Sequence, residues 1–182
     1  GLAPAPQQGG SAEAGSRTSS HWVHRTRQAL APRSANTFAH MHVETLGDGP
    51  PEYTIVACVH GDETCGWHAF NRLKASGVTL QAPVKFVLAN ERAFKLGYRY
   101  CDVDLNRVMP GDPESEKHER RLAARLRREL EGTKVLDFHS TESTGCPYAI
   151  VSGGDAASLE LARSTGLDRV VDMSRIGGGV TD

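Results

Sequence analysis

The stretch YTIVACVHGDETCGWHAF, Tyr53 to Phe70, changes its period halfway along. Tyr53 to Val59 is a nearly continuous apolar run, the pattern of a strand buried on both faces of a parallel sheet. After His60-Gly61-Asp62 the apolar residues Trp67, Phe70 and Leu73 recur at helical spacing. Asp62 is placed to cap that helix, and Gly77 to end it through a left-handed turn. PVKFVLA, Pro83 to Ala89, then reads as a second strand. Strand, helix, strand at this spacing is a βαβ unit, which predicts parallel strands and a right-handed crossover.

The reading extends outward in both directions. Upstream, TFAHMHVETL alternates well enough for a first strand and is followed by the turn GDGPPE. Downstream, GDPESEKHERRLAARLRRELEG predicts an amphipathic helix with Asp112 as cap, Pro113 in its first position and Gly132 at its end. Leu122, Leu126 and Leu130 form its apolar stripe, and its many charges read as a solvated face. KVLDFH, YAIV and RVV are further strands, and DAASLELARSTG is a short helix. Alternating strands and helices give an α/β fold, a three-layer sandwich around a largely parallel, mixed sheet. Residues 1–36, rich in Pro, Gly, Ala, Ser and Gln without a period, read as a disordered or loosely attached leader to a domain at 37–182.

Composition narrows the function. With 21 basic and 22 acidic side chains, no bulk charge points to nucleic acid or an anionic membrane. The apolar runs are strand-sized, too short to span a bilayer. Cys58, Cys65, Cys101 and Cys146 form no CxxC pair and read as reduced thiols of a cytoplasmic protein, with Cys58 and Cys65 buried as small apolar residues. The glycines of IGGGVTD precede no helix, which argues against a phosphate loop.

The chemistry sits where predicted strands end. His60 and Glu63 flank the turn after the first buried strand, at the carboxyl edge where open α/β sheets place their sites. An HxxE pair alone is weak evidence, since most such pairs are surface residues. His139 ends the strand VLDFH, and Asp137, two residues earlier, shares its face. His139 alone could be a hydrogen-bonded strand-end histidine. Together, His60, Glu63 and His139 make a His₂Glu set suited to one catalytic zinc with an open fourth position, with Asp137 orienting His139 from behind. In YRYCDVDLNRV, Arg99, Asn106 and Arg107 gather donors for a carboxylate; the alternative is a turn held by Arg107 with Asp104 or Asp102.

HGDE, YRYCDVDLNR and DFHST, in this order, resemble the aspartoacylase and succinylglutamate desuccinylase family of the zinc carboxypeptidase-like superfamily. The resemblance covers roughly Tyr53 to Ile150. It implies metal-assisted amide hydrolysis of a small N-acyl amino acid, with zinc on His60, Glu63 and His139. Arg99 would polarise the scissile carbonyl, Asn106 and Arg107 would hold a substrate carboxylate, and Asp104 would brace the loop. It also implies a glutamate base downstream of the third ligand and a C-terminal region shaping the pocket. Glu142 does not match that base position, so the sequence reads as C-terminally incomplete. Two rival readings remain: a carboxypeptidase, and a zinc-binding domain without catalysis.

Overall fold

The computed structural model describes residues 40–173 of the chain. The expected leader at 1–36 and the glycine-rich IGGGVTD lie outside the described residues. Within these residues six strands and four helices follow one another: β1 (His42–Leu46), β2 (Tyr53–Ala57), α1 (Cys65–Ser76), β3 (Val84–Leu88), α2 (Glu91–Leu96), α3 (His118–Leu130), β4 (Lys134–Phe138), β5 (Ala149–Val151), α4 (Ala156–Ser164) and β6 (Val170–Asp172). A one-turn 3₁₀ helix, Leu105–Arg107, lies between α2 and α3.

The main sheet has the order β1-β3-β2-β4. β2 is parallel to both β3 and β4, as the βαβ pattern requires, and β1 closes one edge antiparallel to β3. β5 and β6 pair in parallel as a separate two-stranded sheet. Because side chains alternate across a strand, β2 and β3 feed two cores. Val56 and Val87 pack with Leu122, Ala123 and Leu126 of α3, while Ala57, Phe86 and Leu88 pack with Phe70 of α1. Helix, sheet and helix are the three layers. The Phe70 and Phe86 rings stack at 3.7 Å, and burying each such ring contributes about 1.5–3 kcal/mol.

Two helix starts differ from expectation. α1 begins at Cys65 behind Thr64 rather than on an Asp62 cap. α3 begins at His118, so Asp112 and Pro113 precede it instead of opening it. There Asp112 Oδ1 accepts from Glu114 N at 2.9 Å, and Asp112 N donates to Arg120 O at 2.9 Å, so the segment folds back along the helix. Such a local side-chain turn competes with helix initiation. Gly77 does end α1 in the left-handed region, with φ of 66°. Cys58 is buried as expected, but Cys65 is exposed, with its Sγ on the His139 carbonyl at 3.7 Å. All four cysteines are free thiols. Among the described residues no helix is long and apolar enough to cross a membrane.

Candidate metal centre and its loop

Parallel pairing brings the carboxyl ends of β2 and β4 side by side, with Ala57 opposite Phe138. The chain leaves β2 through Cys58, whose φ of 55° is rare for a residue with a Cβ. It then turns at Gly61, where there is no room for a side chain. A Cβ there would lie 2.2 Å from Ala93 C, 2.3 Å from Phe94 N and 2.6 Å from Tyr98 O, all backbone atoms that cannot swing aside. Gly61→Ala is therefore expected to destabilise the fold by about 1–3 kcal/mol or more, seen as a lower denaturation midpoint. An unchanged midpoint would mean that the turn is not packed as described. α1 approaches the same corner closely, since a Cβ on Gly66 would meet Phe138 Cβ at 2.7 Å.

This corner brings the three sequence-predicted ligands together, their ligand atoms all within 4.8 Å of one another. His60 Nδ1 lies 2.9 Å from Glu63 Oε1, and His139 Nδ1 lies 2.9 Å from Glu63 Oε2. Both Nδ1 atoms thus converge on one carboxylate. Both Nε2 atoms face away, each onto an aspartate: His139 Nε2 to Asp137 Oδ2 at 2.8 Å, and His60 Nε2 to Asp104 Oδ1 at 3.1 Å. A carboxylate on the far nitrogen fixes tautomer and ring direction, the usual support for a metal-binding imidazole. Asp137 shares the strand face of His139 and meets the ring nitrogen turned away from Glu63. Asp104 does more than brace its loop: the same Oδ1 that accepts from Asn106 N at 2.9 Å reaches His60.

Glu63 is the hub. Its side chain is 9% exposed and also accepts from Arg99 Nη1 at 2.8 Å and from the Ser140 backbone N–H at 2.9 Å. Arg99 therefore rests on a candidate ligand, with its side chain 47% exposed toward solvent. Asn106 and Arg107 lie on the 3₁₀ turn capped by Asp104. Arg107 is exposed, and its Nη1 donates to Asn106 O at 3.3 Å. The alternative partners turn elsewhere, Asp104 to His60 and Asp102 to the His118 N–H at 2.7 Å. Glu142 is exposed on the segment after His139.

Burial raises the Glu63 carboxyl, but hydrogen bonds from His139, His60 and Ser140 N–H outweigh it and hold the group far below the usual carboxylate range. Burial likewise disfavours charge on His139, yet Asp137 and Glu63 lift it to about 10. With any metal chelated, these shifts fix a pH dependence. The His139 contribution is complete below its ordinary 6.5 and fades as pH rises toward about 10. The Glu63 contribution is complete above its ordinary 4.5 and fades as pH falls below that. Thermal midpoints in chelator are expected to peak between these ordinary values. His139→Ala should flatten the alkaline limb relative to the parent chain; an alkaline limb equally steep in the variant contradicts the assignment.

Two imidazole nitrogens and a carboxylate, each braced from behind, fit a divalent cation such as zinc, whose bonds to such atoms run about 2.0–2.2 Å. Asp104→Asn or Asp137→Asn is expected to weaken metal binding roughly 10–100-fold while leaving the fold intact, measured by competition with a chelating dye. Affinity unchanged in both variants would mean that neither aspartate supports a ligand.

An open, mainly parallel sheet between helical layers, with this cluster at its carboxyl edge, is an α/β sandwich with its candidate site where such sheets place them. The succinylglutamate desuccinylase/aspartoacylase catalytic domain matches residues 50–181. The chain belongs to that family, a family of deacylases. Solved structures with a similar fold include the product-bound ectoine utilization protein EutE (DoeB) from Ruegeria pomeroyi, at 22% identity and a TM-score of 0.62, with 76% of this chain and 48% of that one covered. Succinylglutamate desuccinylase from Vibrio parahaemolyticus is similar at 17% identity and a TM-score of 0.55, over 71% and 46% of the two chains. Murine aminoacylase 3 follows at 24% identity and a TM-score of 0.50, over 64% and 44%. The chain thus spans about half the length of the structures it matches.

Proposed function

We propose that the chain forms the metal- and carboxylate-binding portion of a zinc-dependent deacylase that hydrolyses the amide bond of a small N-acyl amino acid. The observation that carries this reading is the convergence of two aspartate-braced imidazoles on Glu63, in a chain of the deacylase family. His60, Glu63 and His139 would hold the zinc, which when bound activates a water and polarises the substrate carbonyl. Arg99, exposed and in contact with Glu63, would donate to the oxygen that gains charge as the amide is attacked. Asn106 and Arg107, on the 3₁₀ turn tied to His60 through Asp104, would seat the substrate carboxylate, which a guanidinium can grip through two parallel hydrogen bonds. The base that moves the water's proton is assigned to a downstream glutamate, in the part of the family architecture that these residues do not span.

The test is a substrate panel on the full-length protein loaded with zinc: N-acetyl and N-succinyl amino acids against short peptides. Turnover of an N-acyl amino acid, abolished by chelation and restored by zinc, is the expected result. Release of C-terminal residues from peptides would indicate a carboxypeptidase instead. Stoichiometric zinc with no turnover of any compound would indicate a binding domain.

A further inference from the structure

Glu119 is a carboxylate with no solvent exposure, set in the first turn of α3. A buried charge is tolerable only with several strong donors around it. Here they are the consecutive backbone N–H groups of Cys101 at 2.6 Å, Asp102 at 2.9 Å and Val103 at 3.2 Å, with Asn90 Nδ2 at 3.1 Å. In return, Asp102 Oδ2 accepts the His118 N–H at the start of the same helix. Asn90 extends the clamp toward the turn before His60, because its own N–H donates to Cys58 O at 3.0 Å.

The clamped loop touches the candidate metal centre on both sides of the clamp. Upstream, Arg99 O accepts from Gly61 N at 3.0 Å, and its guanidinium reaches Glu63. Downstream, Asp104 reaches His60, and the turn bearing Asn106 and Arg107 follows directly. We propose that Glu119 is a positioning residue: it fixes the Arg99–Arg107 segment so that its substrate-facing side chains keep register with the His60–Glu63–His139 cluster. The inference rests on the functional reading above for what the loop does, and on geometry alone for how the loop is held.

The same region invites a different reading, since Cys101, His118 and Glu119 offer ligand atoms within 4.8 Å of one another, and both ring nitrogens of the buried His118 lack a hydrogen-bond partner. Glu119 argues against a cation there. Its two oxygens already accept four hydrogen bonds, the full capacity of a carboxylate. Burial, with Glu119 beside it, also pushes the Cys101 thiol up to about 12, away from the thiolate a metal needs.

Glu119→Gln keeps the shape but turns an NH₂ toward backbone donors. In the full-length, zinc-loaded protein, the amides of Cys101, Asp102 and Val103 are expected to exchange roughly tenfold faster, while those of Val56 and Leu126 keep their rates. Zinc should remain at one per chain. KM for the best N-acyl amino acid of the panel should rise roughly tenfold, by more than any fall in kcat. Asp102→Ala, at an exposed position, removes the return bond and should shift both readings in the same direction by less. Loop amides exchanging at the parental rate in Glu119→Gln would overturn the proposal. So would uniform acceleration across the domain coupled with an unaffected loop in Asp102→Ala, the mark of a purely structural residue. A second zinc lost in Glu119→Gln would establish the cation reading in its place. If no panel compound binds even the parent protein, the functional reading fails, and the exchange measurement still decides whether Glu119 holds the loop.

Discussion

Glu63→Ala is expected to lower zinc affinity by more than about 100-fold, beyond the range typical for losing an outer support of a ligand. The reason is the number of groups that meet on this carboxylate. It draws together both Nδ1 atoms, the Arg99 guanidinium and the Ser140 N–H, so its loss removes a ligand and frees the two imidazoles from their shared anchor. Zinc content after dialysis, followed by titration against a chelator of known affinity, gives the answer. A variant that keeps one tightly held zinc per chain would show that the ion, if bound, sits elsewhere.

Arg99→Ala should act on the reaction and leave the metal in place. In the full-length protein it is expected to reduce kcat by on the order of 10²–10³, the usual cost of losing one donor to a developing oxyanion. Zinc content should stay stoichiometric, because Arg99 touches Glu63 without being a ligand. Arg99→Lys should recover only part of the rate, since an ammonium lacks the fork geometry. Loss of zinc on the scale of the Glu63 variant would recast Arg99 as a brace for the ligand. A kcat within a few-fold of the parent would remove it from the chemistry.

The parts of this structure legible in the sequence are those with local causes. The period change across His60–Asp62 reported the βαβ unit, and the observed parallel pairing of β2 with β3 follows from it. That His60, Glu63 and His139 lie near one another was legible because His60 and His139 follow predicted neighbouring strands at their carboxyl ends, and Glu63 lies one turn beyond His60. The contacts that local sequence does not report join residues far apart in the chain. Asp104 is 44 residues from His60, and nothing in its neighbourhood marks it as more than a cap for a short turn. Glu119 sits in a charge-rich helix whose composition reads as a solvated face, and only tertiary packing turns that one carboxylate inward. The misplaced start of α3 has the same origin. The Asp112-Pro113 signal is a sound capping pattern, but the backbone there bonds to Arg120, and a loop aspartate, Asp102, meets the first turn instead. Propensity proposes a helix end, and packing against the rest of the chain decides it.

The most direct test of the shared cation is a zinc titration of ¹⁵N-histidine-labelled protein, followed at the ring nitrogens. His60 and His139 should bind through Nδ1, with one equivalent completing the change while both Nε2 atoms stay protonated against their aspartates. Zinc that perturbs the Nε2 resonances, or that leaves these two rings unmoved while shifting His118, would contradict the account.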